Sequence, residues 1–132
     1  MKKILCTGLI LLAGMMLTGV IGAADKEEIE KQIKNQVDEV VAAIDGGKKA
    51  EDFKKLATKE PYYVFIMEPG GKLLVHPHYA SVNLESDKDL YDAVVKGTTE
   101  GLWVKYVFEG KMKHCYVKKT KGGLFVASGY FD

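Results

Sequence analysis

This sequence contains no arginine, so every basic side chain is Lys or His. Any anion it holds must therefore be met by Lys, His, Tyr or backbone N–H groups, without a bidentate guanidinium. His76, Trp103, Tyr106, Lys113 and Tyr116 are of types that could line such a site, each with a plainer structural reading beside it. Trp103 and Tyr106 lie three apart, so regular strand alternation puts them on opposite faces unless a bulge intervenes, and one of the two is plain core. Trp103 offers an apolar wall with one N–H donor. Tyr116 sits mid-strand, where a buried phenol needs a partner; a ligand carboxylate or a core carbonyl would serve equally. His76 precedes Pro77 and either satisfies a backbone carbonyl or turns into a pocket. Lys113 and Lys118 differ in parity, so they face opposite sides of a strand, and for any single lysine of this chain a solvated face is the default.

Other pairings fail on geometry. His76-Pro77-His78 would have to turn two rings back across a proline, and no third ligand lies near in sequence, so a metal site is not expected. His114-Cys115 pairs a thiol with a base, but neighbours on a strand point to opposite faces. Cys115 reads as a small core hydrophobe. Paired carboxylates and triad spacings are missing, so no enzyme is expected, and no cofactor.

The elements that must position these residues follow from periodicity. Ile29, Ile33, Val37, Val40, Val41 and Ile44 recur at helical spacing, with Asp25 as N-cap and Gly46-Gly47 as the stop. A short second helix is predicted around Lys49–Leu56, carrying Phe53 and Leu56 inward. Beyond Pro61 the pattern turns to strands. Tyr62–Met67 and Lys72–His76 form a hairpin around Glu68-Pro69-Gly70-Gly71. Residues 77–86 read as loop and Asp89–Val95 as a short helix. Leu102–Phe108, Met112–Lys119 and Leu124–Phe131 are three further strands, turned by Glu109-Gly110 and Lys121-Gly122-Gly123. Both faces of the central strands are apolar, which predicts a sheet covered on both sides: by the long helix on one, by residues 77–98 on the other. The second layer, irregular and short, is where a cavity is expected. The fold class is α+β, a five-stranded antiparallel sheet with a long N-terminal helix.

Met1-Lys2-Lys3, an uncharged stretch from Ile4 to Ile21 and the small residues Gly22-Ala23-Ala24 have the form of a signal peptide cleaved after Ala24. The alternative is an uncleaved anchor, since the stretch is just long enough to span a bilayer core. The domain is then 25–132, a periplasmic or secreted chain with no membrane association once cleaved. It retains 17 Lys against 18 Asp plus Glu, which leaves no basic footprint for a nucleic acid. Of the two cysteines only Cys115 survives cleavage, so no internal disulfide supports the fold.

Four blocks in this order resemble the single Cache domains, the PAS-like extracytoplasmic sensor modules of bacteria. They are Tyr63-Val64-Phe65-Ile66-Met67-Glu68-Pro69-Gly70-Gly71-Lys72-Leu73-Leu74-Val75-His76-Pro77, Trp103-Val104-x-Tyr106, Lys113-x-x-Tyr116-Val117 and Ala127-Ser128-Gly129-Tyr130. The departures are local. Residues 78–98 are short and lack the family's Asp-x-x-Gly turn, Leu102 replaces a common Gly, and Gly70 a usual Asp. The family's pocket is lined partly by that short segment, so ligand identity does not carry over. The resemblance implies a PAS-like sheet and a small, anionic metabolite such as a short carboxylic acid. It implies Lys113 as the charge-bearing contact, His76 and Tyr116 sharing the carboxylate, Trp103 as the apolar wall and Tyr106 in the same lining. With no signalling helices after the last strand, the expectation is a sensor without its own output domain, read by a membrane receptor or kinase. The alternative is a scaffold or interaction domain whose cavity is filled by its own side chains.

Overall fold

The apolar stripe of the first mature segment forms a helix, α1, spanning Ala23–Asp45 in the computed structural model. The structure describes residues 23–77 and 88–132. The signal-peptide stretch up to residue 22, His78 and nearly all of the expected 77–86 loop lie outside the described residues. Ile33 and Val37 are fully buried, and Val40 and Val41 nearly so. Each such side chain contributes roughly 1.5–3 kcal/mol, so the stripe rather than helical propensity holds α1 to the sheet. The helix starts ahead of the expected cap, which places Asp25 in its first turn, where a carboxylate complements the helix dipole. Its end is as expected: Gly47 takes a φ of 119°, and the N–H groups of Gly47 and Lys48 return to the carbonyls of Ile44 and Ala43, each at 3.0 Å.

The second predicted helix is instead a 3₁₀ segment over Ala50–Thr58, kinked where Phe53 leaves helical geometry. Ala50 and Ala57 are its buried residues, with Phe53 and Leu56 half-buried against the α1 side of the sheet.

Five strands follow: β1 (Val64–Met67), β2 (Leu73–Val75), β3 (Leu102–Phe108), β4 (Lys111–Lys119) and β5 (Phe125–Phe131). A short helix, α2 (Lys88–Val94), lies between β2 and β3. The spatial order is β2-β1-β5-β4-β3, with every pair antiparallel. β3 and β4 are joined by Glu109-Gly110, with φ of 53° and 82°, and Phe108 faces Lys111 across the turn. Positive φ at both positions is what a tight two-residue hairpin with native twist requires. The last strand closes the sheet by inserting between β1 and β4, so β5 is buried from Phe125 to Gly129.

The sheet is packed on both faces, as its two-sided apolar strands predict. Val64, Ile66, Val126 and Tyr116 pack with α1. Phe65, Met67, Val104, Tyr106, Phe108, Cys115, Val117, Phe125 and Ala127 face the other way, with Leu90, Ala93 and Val94 of α2. The architecture is α+β, a long N-terminal helix with a five-stranded antiparallel sheet. Among the described residues no helix is long and apolar enough to cross a membrane.

Candidate functional site

Parity along β4 decides which of its side chains can meet. Cys115 and Val117 face the α2 side with Lys113, while Tyr116 turns toward α1 with Lys118. Lys113 is 1% exposed. Across the sheet it is flanked by Tyr106 of β3 and Phe131 of β5. Its ammonium donates to the Tyr63 hydroxyl at 2.8 Å. The same nitrogen lies 4.3 Å from the centre of the Tyr63 ring, 5.3 Å from Phe65, 5.4 Å from Phe108 and 5.5 Å from Phe131. Reaching Tyr63 means crossing β5, and on this face Gly129 puts no side chain in the path. A Cβ at Gly129 would come within 2.2 Å of the His114 carbonyl oxygen, so the strands pack too closely there for any other residue.

The electrostatics of this position are unusual. Among the described residues no carboxylate oxygen lies within 4.0 Å of the Lys113 ammonium, and the Tyr63 phenol is its hydrogen-bond acceptor. Burial pushes its pKa below the ordinary lysine value; the charges of Cys115 and Glu109 oppose that shift without cancelling it. Four aromatic faces give back part of the lost hydration, at about 0.5–2 kcal/mol each.

His76 joins this group. It is 4% exposed and sits edge-on to Tyr63 at 5.5 Å and Phe108 at 6.0 Å, and tilted to Phe65 at 5.4 Å. Tyr106, also buried, meets Phe108 edge-on at 6.4 Å. Three of the five expected site residues, His76, Tyr106 and Lys113, thus share one face of the sheet.

Trp103 and Tyr116 do not join them. They face each other across the β3–β4 pair, with ring centres 5.4 Å apart, on the side covered by α1. The Tyr116 hydroxyl lies 3.3 Å from both Asp38 Oδ1 and the Glu100 carbonyl oxygen. Burial and the neighbouring Asp38 carboxylate raise its pKa. Asp38 also accepts from Lys34 at 3.0 Å and Lys118 at 3.2 Å. Burial alone would raise the Asp38 carboxyl, but these two lysines outweigh it and hold the carboxyl lowered. Gly101, at φ 96°, allows the close approach: a Cβ there would overlap the Tyr116 hydroxyl at 1.8 Å. The structure does not bring Trp103 and Tyr116 together with Lys113, because the thickness of the sheet separates them. The cause is the odd spacing between 113 and 116, and between 103 and 106, on unbulged strands.

Residue chemistry alone does not single out the rings around the ammonium, Tyr63, Phe65, Phe108 and Phe131. Alternation offers the signal: Tyr63 and Phe65 share a face, and Phe108 lies two beyond Tyr106. Phe131 is different, since only the β4–β5 register brings it beside Lys113. Surface depressions lined by described residues lie beside this group rather than over the ammonium. One of about 480 Å³ lies by Lys48, Lys49, Lys54 and Lys72; one of about 260 Å³ runs from Lys54 to His76. Neither reaches Lys113. Among the described residues no cluster of His, Cys, Asp and Glu could hold a metal ion. His114 bonds Asp132 at 2.6 Å and stacks on Tyr130, and Cys115 is fully buried on the other face, so the two do not work together.

No protein-family model matches the chain, and no curated protein matches it. Solved structures do. The ligand-binding domain of the Pseudomonas fluorescens chemoreceptor CtaA, in complex with L-leucine, is similar at a TM-score of 0.42 and 16% identity, over 62% of this chain and 36% of that one. A methyl-accepting chemotaxis protein from Vibrio parahaemolyticus RIMD 2210633 is similar at a TM-score of 0.54 and 16% identity, over 80% of this chain and 89% of that one. What this chain shares with the Vibrio protein is the fold: the helix and antiparallel sheet that set Lys113 among its rings.

Proposed function

We propose that this chain is an extracytoplasmic, Cache-like domain that binds and senses a small anionic metabolite, a short carboxylic acid. One observation carries the reading. Lys113 is a buried ammonium without a carboxylate partner among the described residues, held only by a phenol and aromatic faces. Leaving a buried charge uncompensated costs several kcal/mol, and a bound carboxylate would remove most of that cost. In this reading Lys113 carries the charge contact, His76, Tyr63 and Tyr106 supply polar neighbours, and Phe65 and Phe108 the apolar wall. The fold shared with a chemotaxis protein supports sensing, and the Lys2-Lys3 to Ala24 sequence supports export. The readout would be a partner protein, a membrane receptor or kinase.

A second reading has its own observation. Four rings lie between 4.3 and 5.5 Å from the ammonium, so the lysine itself fills the space, as in a ligand-independent scaffold. A thermal-shift screen of short carboxylates, amines and amino acids separates the two. A ligand at a hundred times its Kd adds about 2.7 kcal/mol, or roughly ten degrees in Tm for a domain of this size. Lys113→Met should abolish that rise. If no carboxylate shifts the wild type, the scaffold reading wins.

A further inference from the structure

Of the described lysines, Lys113 is the one that is buried; Lys118 and Lys119 are half-buried and the rest are exposed. An amine in that position has two ways to shed the cost of a buried charge. It can hold an anion, as proposed above, or it can give up its proton. Burial, with no carboxylate within ion-pair distance among the described residues, shifts the balance toward the second; the four aromatic faces and the phenol, which favour the charged form, offset that shift only in part. A deprotonated lysine is a nucleophile, and amines desolvated in apolar pockets are the ones that attack carbonyls. A ligand that carries both a carbonyl and a carboxylate would use both properties of the site.

We propose that Lys113 is a site of reversible imine formation with a small α-oxo acid. This deepens the anion reading and rests on it, since the carboxylate of the ligand is what the site is read to accept. The chemistry balances without any oxidant or reductant. The lone pair of the neutral Nζ attacks the carbonyl carbon, and the π electrons move to oxygen. Nitrogen gives up its two protons in turn, the oxygen leaves as water, and a C=N bond replaces C=O. The Tyr63 hydroxyl, hydrogen-bonded to Nζ at 2.8 Å, is the group placed to relay a proton at that nitrogen. Protonation of the imine restores a positive charge, but the adduct now brings its own carboxylate beside it. The buried charge then has a covalently delivered counter-ion, which the free lysine lacks. Burial also lowers the Lys113 pKa, which raises the fraction of reactive amine.

The test uses pyruvate and lactate as probes, identical but for the carbonyl. The purified full chain is incubated with each in the presence of a borohydride that reduces imines, then read by intact mass and peptide mapping. Pyruvate is expected to give one dominant reduced adduct, on Lys113, and lactate none. Tyr63→Phe keeps the ring and should slow trapping at Lys113 at least about tenfold, while Lys113→Arg should remove it. Thermal shift is measured in parallel without the reductant. If pyruvate and lactate both raise the wild-type Tm and no adduct forms on Lys113, the imine is refuted while the anion site stands. If neither raises the Tm and no adduct forms, both readings fall. Labelling spread over the surface lysines with no preference for Lys113 also overturns the imine.

Discussion

Replacing Lys113 with Met is the substitution whose outcome the structure constrains best. Methionine keeps an unbranched chain of similar length and removes the ammonium. The losses are one hydrogen bond to Tyr63, about 0.5–1.5 kcal/mol net, and ring contacts worth about 0.5–2 kcal/mol each. The gain is relief from burying an ion, an effective several kcal/mol. Exchanges of buried charges for apolar groups of like volume range from neutral to about 1–4 kcal/mol stabilising, and the unliganded variant should fall in that range. That corresponds to about 4–8 °C in Tm per kcal/mol. The pH dependence is the sharper signature. Lys113 has a folded-state pKa below its unfolded value of 10.5, so the unfolded chain binds the proton more tightly. Stability contributed at this position is therefore complete above 10.5, where the amine is neutral in both states, and is lost as pH falls toward the folded-state pKa. Within that window the wild type should gain on the variant by up to about 1.4 kcal/mol per pH unit. Urea denaturation of both proteins at constant ionic strength, from neutral pH to beyond 10.5, isolates Lys113 because other titrating groups cancel in the difference. A difference that stays flat across the whole range would refute the desolvated ammonium. So would a variant that loses more than about 2 kcal/mol at neutral pH without any anion present, since the charge would then be stabilising the fold.

Asp38→Asn should cost about 1–2 kcal/mol at neutral pH, because it removes the charge that Lys34, Lys118 and Tyr116 share on a partly exposed site. The carboxyl titrates below its ordinary value of 3.8, so the deficit should vanish as pH falls through that lowered range; a deficit persisting in acid would point to packing instead. Gly129→Ala places a methyl 2.2 Å from the His114 carbonyl oxygen and should destabilise by more than about 2 kcal/mol in chemical denaturation; a near-neutral result would show that β4 and β5 can part. For export, the intact mass of protein recovered from the periplasm or medium should correspond to a start at Asp25, and a full-length mass in the membrane fraction would mean an anchor.

Much of this molecule is determined locally and so is legible in one dimension. The stripe from Ile29 to Ile44 needs only a rotation of 100° per residue to become a buried face. Gly47 and the Glu109-Gly110 pair stop or reverse the chain because a positive φ is required there. Two-sided apolar strands require cover on both faces, and α1 and α2 supply it. The 3₁₀ segment was less legible: whether Ala50–Thr58 winds at one pitch or another is settled by Ala50 and Ala57 packing inward, which no local preference specifies. Alternation also shows that Trp103 and Tyr106 cannot share a face. It does not say which face holds the ammonium, because that depends on which layer each strand presents to α1.

Only the tertiary structure placed β5 between β1 and β4, and with it the surroundings of Lys113. Strand order is a matter of long-range pairing, which leaves no mark in neighbouring residues. That order brings Phe131 beside Lys113 and carries the ammonium across Gly129 to a tyrosine fifty positions earlier in the chain. A lysine near a strand's start reads as solvated, and by composition it should be. Its burial among four rings arises because the last strand and the first hairpin close over it, where water cannot follow.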